Sequence, residues 1–522
     1  MEPIGRDVLG GPLRHASGTG KEHRKVRPMR REKPVPTVAH HVWLGLLDGS
    51  GLRVALLFAP LLMLEAYRRF SVATDPDYWW HVRTGQYIYE TGTLPRVDVF
   101  SHTAAGQLWV THEWLTELLL YVVYRQFGYV GNVVLFGLIS LLTWATVYTA
   151  CRRRGVGDLG AAILVLWGAG MAMGSANVRP QALTTLCLAI CLLLLTLYKE
   201  GKTKVVWLLP PLLALWVNLH GGYIMGLALL GLTIVGEALR RPAAPLRPLV
   251  LAAGLSAAAT LLNPHGPEAL LYPFTYAGIS NASMRYIEEW QSPDFHSPYF
   301  LIFLGGSLLL AMLLGLGRHP LGITETLWAL AFSLMALLSA RHIQLYAVVL
   351  IPLLGARLQA EIPAFRRTMS VLQGRRLLAV TCLAYAIGAL SMVGVARRGS
   401  TFRQLGWEPS AATYPSGAIE YIRSNDLEGN LFNEYNWGGY LIYHLYPQHP
   451  VFVDGRADVY GDELINKYID VWWLRPGWRE VIDKNDVRIV LVGKTSPLAV
   501  VLGDDADWRE VFVGDVERLF VR

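Results

Sequence analysis

Ionisable side chains recur where the apolar runs of this 522-residue chain end. Asp75, Asp77 and His81 follow the first run, and Arg179 and Arg341 stand at the ends of later ones. A carboxylate can take up a proton or hold a divalent metal ion, and guanidinium groups can bind a phosphate. Polar groups at membrane depth are costly unless they face water or one another, so this pattern predicts a wet site at one membrane face.

The residues of this predicted site fall into three roles. Asp77, Asp75 and Glu113 are the predicted catalytic acids, and Asp77 is also the predicted ligand of a divalent metal ion, Mg²⁺ or Mn²⁺. The predicted substrate-binding residues are His81, Arg179, His220, His265, Arg341 and His342. An acid beside a phosphate-binding group at the leaflet surface favours group transfer from a lipid-linked phosphate, in which a base deprotonates an acceptor hydroxyl.

Several of these residues also have a structural interpretation. Asp75 and Pro76 are typical of the start of a helix, and Glu113 could stabilise another helix start. His220 and His265 belong to the patterns NLHG and NPHG, which are typical of helix C-terminal turns. Arg179 and Arg341 could be paired structural cations, although outer-side arginines oppose the usual charge bias of membrane proteins.

The elements that must position these residues are apolar helices. The chain is 53% hydrophobic and 17% charged, whereas soluble domains carry roughly 25% charged residues. Together these values exclude a disordered protein, a disulfide scaffold and a typical cytosolic enzyme. The runs predict a mainly α, polytopic membrane protein with about eleven transmembrane helices. Their limits are 51–70, 129–150, 158–176, 181–198, 205–220, 222–239, 248–263, 299–316, 321–340, 343–361 and 377–396.

The Lys and Arg clusters orient these spans. With the N-terminus on the cytoplasmic side, nearly every cluster falls on that side, and only Arg397, Arg398 and Arg403 do not. The formal charge of +7 therefore reflects membrane topology rather than nucleic-acid binding. This topology predicts a multi-pass membrane protein, with its N-terminus cytoplasmic and its C-terminal region extracytoplasmic.

Three parts follow from this topology. Residues 1–40 are predicted to form a disordered basic cytoplasmic tail, and residues 41–396 a transmembrane domain whose first outer loop covers 71–128. Residues 397–522 are predicted to form a small extracytoplasmic α/β domain, with strands at 430–433, 450–454, 487–492 and 510–513. Within it, Asp454, Arg456 and Asp458 could form a structural turn or bind an acceptor.

The first outer loop, DPDYWWHVRTGQYIYETGTLPRVDVFSHTAAGQLWVTHEWLTELLLY (75–121), resembles that of the bacterial GT-C superfamily of polytopic glycosyltransferases. The segment NLFNEYNWGGYLIYHLYPQHPVFVDGRADVY (430–460) also resembles a region of uncharacterised relatives. The resemblance implies a catalytic or metal-binding acid after the first span, which Asp75 and Asp77 match. It further implies two membrane-lying helices, at 77–91 and 112–127, with Glu113 as a supporting acid. Proline separates the two aspartates here, so which one acts stays open.

The resemblance and the residues together predict a membrane glycosyltransferase of a bacterial inner membrane. Its donor would be a polyprenyl-phosphate sugar, and its acceptor a hydroxyl of a lipid, glycan or protein at the extracytoplasmic face. Two other classes stay open. A transporter of lipid-linked glycan would carry charges near the membrane midplane in two repeated halves. A non-catalytic scaffold would use the C-terminal region to bind a partner.

Overall fold

The computed structural model describes residues 75–175, 177–240, 245–278, 285–365 and 413–522. Residues 75–365 are mainly helical, as predicted, and their helices are α1 (Tyr78–Thr91), α2 (Trp114–Arg153), α3 (Asp158–Met171), α4 (Gln181–Lys199), α5 (Leu209–Leu219), α6 (Tyr223–Leu239), α7 (Leu246–Ala259), α8 (Pro267–Gly278), α9 (Pro298–Leu316), α10 (Ile323–Leu338) and α11 (Ile343–Glu361). A 3₁₀ turn (Thr203–Leu208) leads into α5.

Nine of the eleven predicted spans coincide with helices in this part of the chain. Among the described residues, four helices are long and apolar enough to cross a membrane, and five shorter apolar helices accompany them. The four are Trp114–Arg153, Gln181–Lys199, Pro298–Leu316 and Ala340–Glu361. The predicted spans 51–70 and 377–396 and the tail 1–40 lie outside the described residues, so the count of eleven stays a prediction.

The first loop contains the two predicted helices. The first is α1, which ends at Gly92, whose φ of 67° is left-handed and whose N–H donates to the carbonyl of Ile88. The second is the initial part of α2, which is interrupted at Gly128 by a non-helical φ of 63°. Only glycine adopts such a conformation without strain, so the predicted end of this helix at residue 127 coincides with a backbone constraint.

The C-terminal residues contain a four-stranded sheet of order β1-β2-β4-β3. Leu431 of β1 lies opposite Ile489 of β2 in parallel pairing, and the other two pairings are antiparallel. The elements are α12 (Ser416–Ser424), β1 (Asn430–Asn433), α13 (Gly438–Leu445), α14 (Ala457–Trp472), α15 (Trp478–Lys484), β2 (Val487–Gly493), α16 (Pro497–Gly503), β3 (Arg509–Val513) and β4 (Glu517–Val521).

The predicted strand 450–454 is wrong, because Val451 is its one residue in a backbone bridge, and that bridge joins Ser101 of the first loop instead of the sheet. Val451 donates its N–H to the carbonyl of Phe100 at 3.0 Å and accepts from the N–H of His102 at 3.0 Å. The only other backbone pairing of this kind in the described loop joins Val97 and Leu108. The C-terminal residues and the first loop are therefore joined by backbone hydrogen bonds, and not only by side-chain contacts.

Aromatic rings extend this contact. Trp79 of α1 packs against Tyr440 and Tyr443 of α13, with ring centroids 5.5 Å and 4.7 Å apart. Trp79 is 1% exposed, and burying an aromatic side chain of this size is among the largest single contributions to packing. The start of α1, where the predicted acids lie, is thus fixed against the C-terminal residues.

Candidate active site

A cavity of about 1100 Å³ opens where α1 and α2 begin, beside the loops that join α3 to α4 and α5 to α6. Eight of the nine predicted site residues line it: Asp75, Asp77, His81, Glu113, Arg179, His220, Arg341 and His342. His265 is not among the described residues that line it. Residues 434–436, 455–458 and one face of α14 form a further wall of this cavity.

Asp75 and Asp77 lie at the start of α1 but differ in their contacts. Oδ1 of Asp75 accepts from the backbone N–H of Asp77 at 3.0 Å, and Oδ2 accepts from Nδ2 of Asn177 at 2.8 Å. Asp75 thus organises the helix start, which was its structural interpretation. Burial raises the pKa of Asp75, against the opposing effect of the Arg179 charge.

Asp77 faces the cavity rather than the helix. It occupies the N-cap position, yet its side chain makes no capping hydrogen bond. Instead Oδ2 forms an ion pair with Nη2 of Arg179, and Oδ1 accepts from Nε1 of Trp80 at 3.1 Å. Both oxygens therefore have a fixed direction, which is what a positioned base requires.

Two arginines share one carboxylate that sequence reasoning missed. Glu289 accepts from Nη1 of Arg179 through Oε2 at 3.2 Å and from Nη1 of Arg341 through Oε1 at 3.2 Å. Arg341 also stacks over Trp290 at 4.6 Å, and the carboxamide oxygen of Gln181, assigned toward it, accepts from its Nε at 2.8 Å. The signal for Glu289 in the sequence is the pair of acids before Trp290, between two apolar runs.

A second group of polar side chains surrounds Glu113. Its Oε1 lies 3.2 Å from Nε2 of His220 and 3.4 Å from Nε2 of His112, and its Oε2 lies 3.5 Å from Nδ1 of His81. Although burial raises the pKa of Glu113, the charges of His112 and His81 outweigh it and hold that pKa below its usual range. Glu113 is therefore an anion that organises three imidazoles.

The tautomer of His220 follows from its neighbours. The N–H of Gly222 donates to Nδ1 of His220 at 2.8 Å, so the ring proton of the neutral imidazole is on Nε2, which faces Glu113. Burial lowers the pKa of His220 to about 3, so this ring is neutral at physiological pH. His220 can donate one hydrogen bond but offers a phosphate no positive charge.

The remaining two predicted substrate-binding residues are His265 and His342. His265 is buried outside the described lining of the cavity: it is 5% exposed, and Oε2 of Glu268 lies 4.0 Å from its Nδ1, so its role in substrate binding stays a prediction. The carboxamide oxygen of Asn263 accepts from the N–H of His265 at 2.9 Å. His342 does line the cavity, directly after Arg341.

The donors that fit a metal ion differ from the prediction. Asp77 is paired with Arg179, whereas His81, Glu113 and Glu117 each offer one donor atom, and these atoms lie within 4.8 Å of one another. Oε2 of Glu117 is buried and has no hydrogen-bond partner among the residues that the structure describes. An imidazole with two carboxylates suits Mn²⁺ better than Mg²⁺, which prefers oxygen ligands alone.

The C-terminal residues contribute a separate acid. Oδ2 of Asp458 accepts from the hydroxyl of Tyr272 at 3.0 Å, and the Tyr272 ring stacks on His112 with centroids 4.2 Å apart. Asp454 and Arg456, by contrast, are 0% and 2% exposed and bind each other. The structural interpretation therefore describes Asp454 and Arg456, while Asp458 faces the cavity.

The amino-acid sequence matches no protein-family model and no curated protein. Its fold, however, is similar to solved structures. The archaeal oligosaccharyltransferase AglB from Archaeoglobus fulgidus, in complex with an inhibitory peptide and a dolichol-phosphate, aligns with a TM-score of 0.56 and 11% identity over 85% of this chain and 69% of its own. ArnT from Cupriavidus metallidurans, bound to undecaprenyl phosphate, aligns with a TM-score of 0.52 and 15% identity over 91% and 98%.

A third structure extends the comparison. The arabinofuranosyltransferase AftD from Mycobacteria aligns with a TM-score of 0.52 and 12% identity over 90% of this chain and 41% of its own. These three proteins are GT-C glycosyltransferases, and identities of 11–15% make the relationship distant. The predicted resemblance of the first loop is thereby confirmed at the level of architecture: the chain has the fold of the GT-C membrane glycosyltransferases.

Proposed function

We propose that this protein is a membrane glycosyltransferase that moves a sugar from a polyprenyl-phosphate donor to an acceptor hydroxyl at the extracytoplasmic face of a bacterial membrane. The proposal includes eleven spans, a cytoplasmic N-terminus and an extracytoplasmic C-terminal α/β domain from residue 397. One observation carries it. In a chain with the GT-C fold, a single cavity collects Asp77, Arg179, Glu289 and Arg341 from separate elements.

The comparisons support the donor class. AglB binds a dolichol-phosphate and ArnT binds undecaprenyl phosphate, so two proteins with this fold bind polyprenyl phosphates. In this chain Arg179 and Arg341, which share Glu289, are two of the cations that line the cavity and could meet such a phosphate. Guanidinium groups bind phosphate through paired N–H donors, so these two residues are the proposed phosphate site.

Asp77 is the proposed base. The acceptor oxygen attacks the anomeric carbon, a new C–O bond forms, and the bond from that carbon to the phosphate oxygen breaks. The acceptor proton passes to the Asp77 carboxylate, and polyprenyl phosphate leaves with the bonding electron pair. Arg179 orients the carboxylate through their ion pair, and such positioned acid–base groups typically contribute about 10²- to 10⁴-fold to rate.

A divalent cation has a place beside this reaction. His81, Glu113 and Glu117 would hold it, and a bound cation would offset negative charge on the departing phosphate. His81 follows Asp77 by one helical turn, so an ion at these donors would lie near the start of α1. We propose Mn²⁺ before Mg²⁺ for this mixed donor set.

The test measures polyprenyl phosphate released by the purified full chain from a panel of polyprenyl-phosphate sugars. We expect Asp77→Asn to lower turnover about 10³-fold with at least one donor. Asp158→Asn is the matched control, because Asp158 pairs with Arg152 at 2.8 Å, is half exposed and begins α3, far along that helix from the cavity. This control should turn over as the wild type does.

Two results would contradict the proposal. Turnover that survives Asp77→Asn undiminished would remove Asp77 as the base. The absence of release from every donor, with folded protein, would favour the scaffold or transport classes. The proposed topology has its own check, since a reporter fused to the C-terminus should report the extracytoplasmic compartment.

A further inference from the structure

The segments NWGGY and VDGRADVY, at 436–440 and 453–460, are the part of the C-terminal sequence that the proposed chemistry does not use. Both contain glycines that lie against the start of α1. A Cβ atom on Gly439 would lie 2.5 Å from the carbonyl oxygen of Pro76, between the two aspartates. Since real Cβ atoms do not approach this closely, a side chain there would displace the backbone between Asp75 and Asp77.

Gly455 makes the closer approach. A Cβ atom on it would lie 1.7 Å from Oδ1 of Asp77 and 3.2 Å from Nε1 of Trp80. These two atoms form the hydrogen bond that directs one oxygen of Asp77, while Arg179 holds the other. The Asp77 carboxylate therefore occupies the space that a side chain at residue 455 would fill.

Arg456 fixes the segment that carries Gly455. Its guanidinium donates to Asp454 through Nε at 2.8 Å and through Nη2 at 2.6 Å, and to Asp98 of the first loop through Nη1 at 2.7 Å. It also stacks on Phe100 at 5.1 Å and on Trp109 at 4.6 Å. A buried, bidentate arginine with these ion pairs and ring contacts has few alternative positions, so the adjacent backbone is rigid.

We propose that residues 453–456 position the base of the active site. Gly455 leaves the space that the Asp77 carboxylate occupies, and Arg456 holds the backbone at residue 455 against the first loop. The inference rests on the proposed function for the role of Asp77. Gly455 and Arg456 are positioning residues, because they act through Asp77. This assigns the C-terminal region a part in the reaction, and it explains why glycine and arginine stand side by side in VDGRADVY.

A double-mutant cycle on stability tests the contact between Gly455 and Asp77 without any substrate. The variants are Gly455→Ala, Asp77→Ala and both together in the full chain, with the thermal unfolding midpoint as the readout. Gly455→Ala should lower the midpoint by about 3 °C or more in the wild type. It should have little effect beside Asp77→Ala, because that change vacates the space.

The matched control is Gly254→Ala in α7, where an added Cβ meets no atom within 4 Å. Its effect should be the same in both backgrounds. Equal shifts for Gly455→Ala in the two backgrounds, including no shift in either, would overturn the proposal. Arg456→Met is unsuitable for this cycle, because it leaves the buried Asp454 and Asp98 without their shared cation and so lowers stability for a reason unrelated to Asp77.

Activity gives a second and separate reading. Gly455→Ala should lower kcat about 100-fold, the effect of a misplacement of roughly 1 Å, and leave the Kd for polyprenyl phosphate within threefold. A fall in kcat no larger than that of Gly254→Ala would contradict the positioning role. If the wild type released no polyprenyl phosphate from any donor, the proposed function would fail. The stability cycle would still decide whether Gly455 leaves the space for the Asp77 carboxylate.

Discussion

The helical bundle carries five charged side chains in a cluster at each end, in opposite proportions. The site cluster has three acids and two bases, and the distal cluster has three bases and two acids. The members of the site cluster are Asp75, Asp77, Glu289, Arg179 and Arg341. The members of the distal cluster are Arg154, Lys199, Arg240, Glu237 and Glu325.

The two clusters differ in what surrounds them. Lys199 binds Glu237 at 3.0 Å and Glu325 at 2.7 Å, and so joins the ends of α4 and α6 to the start of α10. Of the described residues that line the cavity, none belongs to the distal cluster, whereas all five members of the site cluster do. Charges that close a contact between helices serve stability, and charges that face a cavity are available to a ligand.

Removing the central cation of the site cluster should have the largest effect. We expect Arg179→Met to lower turnover about 10³-fold, because Asp77 loses its partner and the proposed phosphate site loses one of two cations. Arg179→Lys should recover only part of the activity, since an ammonium cannot contact Asp75, Asp77 and Glu289 in the same geometry. Arg152→Met, which breaks an exposed pair with Asp158, is the control.

The corresponding change in the distal cluster should separate stability from activity. Lys199→Met leaves Glu237 and Glu325 without their shared cation, which should cost about 3 kcal/mol of unfolding free energy. Turnover per folded molecule should stay within twofold of the wild type. Lys467→Met, in an exposed pair with Glu463, controls for loss of a lysine. A tenfold loss of turnover in folded Lys199→Met would break the distinction between the clusters.

The smallest expected effect concerns pH. The site end contains His220, whose pKa burial lowers to about 3, whereas the distal cluster contains no histidine. The unfolded chain takes up a proton near pH 6.5 and the folded chain does not, so stability falls as the pH drops from about 6.5 toward 3. The slope from this group is at most about 1.4 kcal/mol per pH unit.

His220→Gln should flatten that slope, because glutamine keeps a hydrogen-bond donor near Glu113 but does not titrate. The measurement is the unfolding free energy of both proteins from pH 4 to 7, with a chelator present throughout. An identical slope in the two proteins would mean that His220 is protonated in the folded chain, against its assigned neutral tautomer.

Apolar runs in the sequence predicted nine of the described helices, and the polar residues at their ends predicted eight of the residues that line the cavity. Spans are long apolar segments, and the ends of antiparallel helices meet, so polar residues at alternate ends were expected together. The cluster around Asp77 and Arg179 is an instance. The positions of apolar runs do not determine how the residues between two helices are arranged, and His265, predicted on the same grounds, is not among the described residues that line the cavity.

Glu289 and Glu117 show a second limit. Glu289 lies in a short 3₁₀ turn, where the pair of acids before Trp290 is its only sequence signal, and Glu117 lies within a helix among apolar residues. Glu289 binds Arg179 and Arg341, and Glu117 binds His81. All three of these partners are far away in the chain. The strand prediction at 450–454 failed similarly, since Val451 is extended but pairs with the first loop.

The contact of Arg456 with Asp98 spans 358 residues, and that of Arg179 with Asp77 spans 102. The ribosome therefore synthesises the apolar helices of residues 114–361 before it synthesises residues 434–458, which complete the cavity wall. Contacts of such separation form late, because the intervening chain must be ordered first. A nascent chain of this protein that has not yet reached residue 456 consequently lacks both the Arg456–Asp98 contact and the complete backbone segment that lies against Asp77.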